Sequence, residues 1–350
     1  MSGEYAPDRS AVLDALRRPG RMLIVTHVRA DGDALGSALA LQASAALAGK
    51  EAGMVLAEEP PRRYQFLFAS RRPVLLTQDA SRRFAEIADQ ADRVVVVDTC
   101  SFEQLGPLAE PLRPRRSKVV VIDHHASADD VGAIVWRDTS AAAAGVMVSE
   151  LLCELGWPAD PGILEALGTA IYTDTGWLHY ANTDARAMKA VGWLIASGLR
   201  PDALYARTYQ NDRPERLKLL AAALASLTLH HDRRLAVMSL TRPDFARTGA
   251  AEAETEDLVN EGLRIASVEV AALLTEQPDG KVRASLRSRK VEVSNPDTSG
   301  LEPLVDVAAV AQTFGGGGHV RASGFRSAEP LEVVKQHLIA ACAGLLADRS

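Results

Sequence analysis

Short runs of consecutive apolar residues alternate, in the first half of the chain, with segments in which apolar residues recur every three or four positions. The continuous runs are typical of strands buried on both faces, and the periodic segments are typical of amphipathic helices. Strands that alternate with helices predict a parallel sheet covered on both sides, so we expect an α/β, doubly wound first domain. The strand-like runs are RMLIVT, MVLA, RVVVVD, KVVVID and GAIVW, and the helical segments between them include SALALQASAALA and RFAEIADQA.

The rhythm changes after three further helical patterns that lie between residues 140 and 197. The next segment, SGLRPDALYARTYQNDRPERLK, contains glycine, two prolines and many charges, which is typical of a linker. We therefore predict a first domain over residues 1–197, a linker over 198–219 and a second domain over 220–350.

The second domain is predicted to be smaller and to mix helices with strands, as an α+β domain. Helices are expected at 255–265 and 304–313, and the final amphipathic segment LEVVKQHLIAACAGLL is expected to pack on the same domain. The predicted strands are LASLTLHH, RRLAVMSL, EVAALLTE and KVRASLRS, which form two pairs around short polar turns.

Composition narrows the class of protein. The 350 residues are 47% hydrophobic and 24% charged, which is typical of a globular chain long enough for two domains. The net charge of -6 argues against binding of long nucleic acid, while a short anionic ligand in a local pocket stays open. Three scattered cysteines without a CxxC pair indicate reduced thiols, and we expect a cytoplasmic protein with no membrane partner.

Acidic residues and histidines follow the predicted strands at the points where those strands end. One aspartate in such a position is most often a turn residue or a helix cap. Several of them together are costly unless a cation offsets their repulsion, and ligands bind at this edge of open α/β sheets. The residues are His27, Asp31 and Asp33 after IVT, Asp98 after RVVVV, Asp123, His124 and His125 after KVVVI, and Asp174 after the helical run TAIYT.

Imidazoles and carboxylates without cysteine suit a divalent ion such as Mn²⁺. The set contains more ligands than one ion needs, and two neighbouring ions bridged by a carboxylate form a template for phosphoryl chemistry. The sequence therefore predicts a hydrolase that acts on a phosphate ester or anhydride.

A second group of candidate residues lies in FGGGGHVRASG, at positions 314–324. Consecutive glycines allow the backbone to approach a ligand closely, and His319 and Arg321 supply donors beside them. The strand KVRASLRSRK places Arg283, Arg287 and Arg289 at alternating positions, which predicts one face of a sheet. A flexible loop and a solvated sheet edge are the alternatives.

Five motifs of the chain resemble those of the DHH phosphoesterases that carry a DHHA1 C-terminal domain, and most closely those of the NrnA-type branch. In chain order the motifs are HxxxDGDxxGS, VVVVD, VIDHH, TDTG and GGGGH. The resemblance extends over nearly the whole chain. It implies hydrolysis of oligoribonucleotides of about two to five nucleotides to 5'-mononucleotides, through in-line attack of a hydroxide that bridges two metal ions. The alternatives are a 3'-phosphoadenosine 5'-phosphate (pAp) phosphatase, a linear pApA phosphodiesterase and a non-catalytic nucleotide-binding regulator.

The resemblance also implies residue roles. Two Mn²⁺ ions per site are expected, with Mg²⁺ or Co²⁺ as alternatives, and Asp98 is expected to bridge them. Asp123 is expected to orient the neighbouring imidazoles, and His125 to face the scissile phosphate or the leaving oxygen as electrostatic stabiliser or general acid. The implied ligands are His27, Asp31 and Asp98 for one ion and Asp33, Asp98, His124 and Asp174 for the other, and the implied nucleotide-binding residues are Arg283, Arg287, Gly316, Gly317, Gly318, His319 and Arg321.

Two positions depart from the family pattern. Ala30 stands where a proline is usual, and His179 stands where arginine is usual. The segment SRK at 288–290 is similar to a motif of family II pyrophosphatases, but the glycine run favours a DHHA1 domain. The oligomeric state, a homodimer included, stays open at this point.

Overall fold

The computed structural model describes residues 8–76, 78–126, 128–292, 301–303 and 305–347. The chain forms two compact units that divide between Asn211 and Asp212. The division lies inside the segment 198–219, which the sequence predicts as a linker, although helices occupy much of that segment.

The first unit alternates strands and helices. Its strands are β1 (Met22–Val25), β2 (Ala52–Leu56), β3 (Val74–Leu75), β4 (Arg93–Val97), β5 (Val119–Asp123) and β6 (Ile134–Arg137). Its α-helices are α1 (Arg9–Arg17), α2 (Gly32–Leu47), α3 (Ala80–Asp89), α4 (Phe102–Leu105), α5 (Ala109–Leu112), α6 (Ala144–Leu155), α7 (Pro161–Asp174), α8 (Ala185–Ala196) and α9 (Pro201–Tyr209).

The six strands form one parallel sheet in the order β3-β2-β1-β4-β5-β6. Alternate side chains enter two separate cores: Ile24 lies in the core with α1, α2, α6, α7 and α8, and Val25 lies in the core with α3 and α5. The predicted doubly wound α/β class is confirmed. Since the strand order reverses between β1 and β4, the carboxyl ends of these two strands mark the topological switch point where such sheets bind ligands.

Helix α2 packs closely against α7. A Cβ atom at Gly36 would lie 2.2 Å from the carbonyl oxygen of Ala166 and 3.0 Å from the Cβ of Ala170. A glycine at this position therefore allows the two backbones to touch. The contact lies one turn after the start of α2 and one to two turns before the end of α7.

The second unit is the predicted α+β domain. Its strands are β7 (Thr228–His230), β8 (Leu235–Leu240), β9 (Val270–Glu276), β10 (Val282–Ser288), β11 (Lys290–Glu292), β12 (Leu301–Pro303), β13 (Gly317–His319) and β14 (Ala322–Ser327). Its α-helices are α10 (Pro214–Ala225), α11 (Arg242–Thr248), α12 (Val307–Gln312) and α13 (Leu331–Ala347).

A six-stranded sheet runs in the order β13-β14-β10-β9-β8-β7, and β11 pairs with β12 in a separate ribbon. Helices α12 and α13 cover one face of the large sheet, and α10 and α11 cover the other face over β8 and β9. In the described parts of both units, every helix is too short or too polar to span a lipid bilayer.

One local prediction for this unit is wrong. The predicted helix at 255–265 is a pair of 3-10 segments, Glu252–Thr255 and Leu258–Arg264, separated by Asp257 with a left-handed φ of 63°. The glycine run, for which a flexible loop is one of the alternatives, includes edge strand β13, in which Gly317 and Gly318 pair with Gly324 and Ser323 of β14.

Two helical glycines provide a matched test of the α2–α7 contact. We expect Gly36→Ala to lower the free energy of unfolding by about 1–3 kcal/mol because the added methyl group overlaps a backbone carbonyl. We expect Gly192→Ala, on α8 with open space around it, to raise stability by about 0.5–1 kcal/mol. Urea unfolding of the two variants measures both effects, and an unchanged Gly36→Ala variant would show that the helices are not in contact.

Candidate metal centre

The centre lies at the carboxyl ends of β1 and β4. The Thr26 hydroxyl donates to the Val97 carbonyl over 2.8 Å, which holds the two strand ends together. The next residues are His27 after β1 and Asp98 after β4. The Nε2 atom of His27 lies 3.6 Å from the Oδ2 atom of Asp98. Asp98 has a φ of 64°, a conformation that a non-glycine residue rarely adopts and that functional sites often contain.

Asp31 serves as the cap of α2 and as part of the centre. Its Oδ1 atom accepts hydrogen bonds from the backbone N–H groups of Asp33 (3.0 Å) and Ala34 (3.1 Å). The simple interpretation of this aspartate as a helix cap is therefore correct for one oxygen atom. The Asp31 carboxylate also belongs, with His27 and Asp98, to a group of side chains that could hold a metal ion.

Asp33 is anchored by a different helix. Its Oδ2 accepts from the N–H of Ala144 (2.6 Å), and its Oδ1 accepts from the N–H of Gly145 (2.8 Å) and from the Ser37 hydroxyl (3.0 Å). Ala144 and Gly145 begin α6, whose first N–H groups have no partner inside the helix. The amino end of α6 thus stabilises a fully buried carboxylate.

Backbone carbonyls fix the two inner histidines. The Nδ1 atom of His27 lies 2.8 Å from the Val28 carbonyl oxygen, and that of His124 lies 3.1 Å from the Ala141 carbonyl oxygen. Because a carbonyl oxygen can only accept, each Nδ1 carries a proton and each Nε2 faces the carboxylates. Histidine ligands of metal ions are commonly oriented in this way.

His124 joins three carboxylates. Its Nε2 atom lies 3.3 Å from Asp98 Oδ1, 3.6 Å from Asp33 Oδ2 and 3.7 Å from Asp174 Oδ2. Three sets of donor atoms, each within 4.8 Å of one another, result: His27–Asp31–Asp98, Asp33–His124–Asp174 and Asp98–His124–His125. Asp98 belongs to two of these sets, which lie next to each other.

The electrostatics of the cluster favour a cation. Burial lowers the histidine pKa values, but Asp98 and its neighbouring carboxylates raise the pKa of His27 to about 9 and that of His124 to about 10. Burial, together with nearby carboxylates, raises the pKa of Asp174 to about 6 and also that of Asp33. The carboxylates lie too close together for all of them to stay ionised without a cation. Their hard oxygen atoms, together with the imidazole nitrogens, are donors that suit divalent ions.

His125 has a different environment. Its Nδ1 lies 2.8 Å from Asp123 Oδ1, while its ring is partly exposed and Asp123 is fully buried. Arg137 donates to the carbonyls of His125 (3.4 Å) and Ala126 (2.5 Å) and so fixes this loop. Asp123 therefore orients one of the two neighbouring imidazoles, and the Ala141 carbonyl orients the other.

Some supporting residues were not found from the sequence. Asn182 donates over 3.0 Å to the carbonyls of both Ala142 and Asp174, which ties the end of α7 to the loop before α6. Arg137, which fixes the His125 loop, was missed as well. The polar segment that follows TDTG could have indicated Asn182. For Arg137, the only indication in the sequence is its position at a strand end, directly after GAIVW.

In the second unit, Arg283 and Arg287 share the face of β10 opposite the core that contains Ala284 and Leu286. Arg326 of β14 lies directly across from Arg283 in register. Arg289 does not extend this face, because it donates to backbone carbonyls of the segment 263–266.

The glycine run has a structural reason. Cβ atoms at Gly316 and Gly318 would lie 2.3 Å and 2.6 Å from backbone oxygens of Gly324 and Ala322, whereas Gly317 has open space around it. Arg321 lies exposed in the turn between β13 and β14. His319 belongs to β13, and its side chain lies outside the described part of the structure.

A doubly wound domain with a centre of imidazoles and carboxylates at its switch point, followed by an α+β domain, defines a class of two-domain α/β proteins. Within it, the chain belongs to the DHH family. The family model described as "DHH family, N-terminal domain" matches residues 21–172. The resemblance stated from the sequence motifs is thereby confirmed.

Similar proteins cover both units. The chain is 30% identical over 318 residues to the bifunctional oligoribonuclease and PAP phosphatase NrnA of Thermus thermophilus, covering 89% of this chain and 85% of that protein. The protein of the same name from Bacillus subtilis is 26% identical over 313 residues, with 87% and 88% covered. Among solved structures, an exopolyphosphatase-related protein from Bacteroides fragilis shares the fold, with a TM-score of 0.83, 23% identity and coverage of 99% and 100%.

Divalent ions should stabilise the folded protein through this centre. At about 100 times its dissociation constant, one Mn²⁺ ion is expected to raise the free energy of unfolding by about 2.7 kcal/mol. Asp98→Asn should lose most of this gain because Asp98 belongs to two donor sets. Thermal unfolding with Mn²⁺ and with EDTA measures the difference, and Asp89→Asn, at an exposed carboxylate paired with Arg115, is the control. Equal gains in both variants would place the ions elsewhere.

Proposed function

We propose that this protein, a hydrolase acting on phosphoester bonds, cleaves short oligoribonucleotides to 5'-mononucleotides. The observation that carries the proposal is the position of Asp98, whose two carboxylate oxygens lie 3.6 Å from His27 and 3.3 Å from His124. A carboxylate held between two donor sets is the arrangement that a two-metal phosphoesterase requires. The activities in the names of the two relatives support the same substrate class.

In this proposal His27, Asp31 and Asp98 hold one Mn²⁺ ion, and Asp33, Asp98, His124 and Asp174 hold the other, with Mg²⁺ or Co²⁺ as alternatives. When bound, the ions would polarise the phosphate oxygens and supply a hydroxide nucleophile for in-line attack. The chain's own contribution is rigidity. Asp33 is fixed by α6, both inner imidazoles are fixed by backbone carbonyls, and Asp174 is fixed through Asn182.

His125 is the proposed general acid. Its Nδ1 is engaged by Asp123, which leaves Nε2 of the partly exposed ring as the donor toward a bound substrate. The hydrogen bond to Asp123 raises the pKa of His125, although burial acts in the opposite direction. Release of a 5'-mononucleotide breaks the bond between phosphorus and the 3' oxygen, and His125 would give its proton to that oxygen.

The second unit is proposed to bind the terminal nucleotide. Arg283 and Arg326 lie directly opposite each other on neighbouring strands, where like charges destabilise a sheet unless an anion lies between them. Arg287, Arg321, His319 and the glycines Gly316, Gly317 and Gly318 complete the proposed set. One local anionic ligand, such as the phosphate of a short oligonucleotide, agrees with the net charge of -6.

A second substrate, pAp, is proposed for the same centre. Both relatives are named as PAP phosphatases as well as oligoribonucleases. Removal of a 3'-phosphate is the same displacement with a nucleoside 3' oxygen as leaving group, so His125 would act as in the diester reaction. Linear pApA is the shortest diester in the proposed class.

Initial rates on a substrate series test the proposal. In Mn²⁺, 5'-labelled RNA of about two to five nucleotides should be cleaved fastest, with rates that fall as length increases, because the proposed site holds few phosphates. Asp98→Ala should lose activity on every substrate. Hydrolysis of pAp alone would make the protein a nucleotide phosphatase, and tight nucleotide binding without turnover would make it a regulator.

His125→Asn tests the acid. The variant should reduce kcat on dinucleotides by about 10²- to 10⁴-fold while KM changes little, because an amide cannot supply the proton. Substrates with a p-nitrophenolate leaving group need no protonation and should lose far less. An equal loss on both kinds of substrate would assign His125 a purely electrostatic or structural role.

A further inference from the structure

An exposed aromatic ring follows the candidate ligand Asp174 on a turn formed by residues 176–180. The backbone N–H of Tyr180 donates to the Thr175 carbonyl over 3.0 Å, so the turn folds back onto the end of α7. Asn182 then bonds to the Asp174 carbonyl over 3.0 Å. The ring of Tyr180 is therefore carried by the residues that fix the end of α7 and thus Asp174.

The turn has an unusual backbone. Gly176, Trp177 and Leu178 are consecutive and all left-handed, with φ values of 55°, 56° and 66°. Side chains as large as those of tryptophan and leucine rarely adopt this conformation, and such strain persists only where the surroundings enforce it. Strained segments of this kind cluster at functional sites.

Trp177 enforces the conformation of the turn. Its ring stacks on Tyr172 with 4.4 Å between centroids and 12° between planes. The edges of Tyr205 and Tyr209 contact it at 4.9 Å and 5.7 Å. The Trp177 backbone N–H also donates to the Tyr172 carbonyl over 2.6 Å. The turn is thus bound to α7 and α9 as a rigid support.

Tyr180 lies on this support with its ring against Gly176. A Cβ atom at Gly176 would lie 2.4–2.6 Å from ring atoms of Tyr180, so the glycine is needed for the ring to lie there. His179 contacts the ring at 5.0 Å between centroids. Tyr180 nevertheless remains 51% exposed, more than the tyrosines of the Trp177 cluster.

We propose that Tyr180 is the platform on which a nucleobase of the substrate stacks, an inference that rests on the proposed function. Unpaired bases bind proteins chiefly by stacking on aromatic side chains, and a ring held from below and open above meets this requirement. Because every base has a π face, the platform accepts all sequences. Stacking there would add affinity for a base near the end of α7, the helix that carries Asp174.

The experiment compares Tyr180→Phe, Tyr180→Leu and Tyr180→Ala with the wild type on pApA and on an analogue in which hydrogen replaces both bases. Leucine keeps apolar bulk over Gly176 without a π face. Leu47→Ala is the control, since this exposed side chain ends α2 about 22 Å from the start of that helix at the centre. The dissociation constant of a non-hydrolysable methylene-bridged diadenylate is measured alongside.

Loss of stacking should raise KM for pApA, and the dissociation constant of the bridged analogue, about 5- to 100-fold in the leucine and alanine variants. The kcat of the leucine and alanine variants should stay within about twofold of the wild-type value, and so should all constants of Tyr180→Phe. Every variant should cleave the base-free analogue at a rate within about twofold of the wild type, because stacking is the interaction removed. Equal losses with and without bases would make Tyr180 only a support of the turn, and unchanged constants would also overturn the inference.

The inference and the proposed function can fail separately. If the wild type binds the bridged diadenylate but cleaves no oligonucleotide, the proposed function is wrong, and the binding ratios still decide the role of Tyr180. If the wild type neither binds nor cleaves these compounds, both are overturned.

Discussion

The structure depends on the accommodation of one buried carboxylate, that of Asp98, with other carboxylates around it. An unpaired buried charge is costly, and gathering several of the same sign raises that cost. Burial acts to raise the pKa of Asp98, but the two imidazoles that face it, those of His124 and His27, together lower this pKa to about 2. The amino ends of α2 and α6 stabilise Asp31 and Asp33. The first unit therefore compensates Asp98 with two imidazoles, and Asp31 and Asp33 with the amino ends of helices.

This accommodation explains why the helices around the centre pack so closely. Asp33 lies in the first turn of α2, and Asp174 is the last residue of α7. Their contact at Gly36 brings these two helix ends together, and His124 reaches both carboxylates from the end of β5. The geometry of the donor atoms is thus determined by backbone packing in the core, not by mobile surface loops.

The sequence predicted much of this fold because its strongest signals are local. Continuous runs such as RVVVV are buried on both faces of the parallel sheet, and polar residues directly after them mark the ligand-binding edge. What the sequence could not supply depends on distant pairings. The N–H groups that hold Asp33 lie 111 and 112 residues further along the chain, and Asn182 bridges two loops that no periodicity connects. The left-handed Asp257 divides a predicted helix, and the strand within the glycine run depends on pairing with β14, which the local sequence does not encode.

The glycine run of the second unit has a consequence for comparisons among proteins of this fold. Gly316 and Gly318 allow β13 to lie against β14 with no room for a side chain, so these two positions are required by strand pairing whether or not a ligand binds. A descendant that had lost its substrate would still be under selection to keep them. Gly317, which has open space above it, is free of that requirement. Of these three positions, a glycine retained at 317 would therefore point to the proposed ligand, whereas glycines retained at 316 and 318 would report on folding.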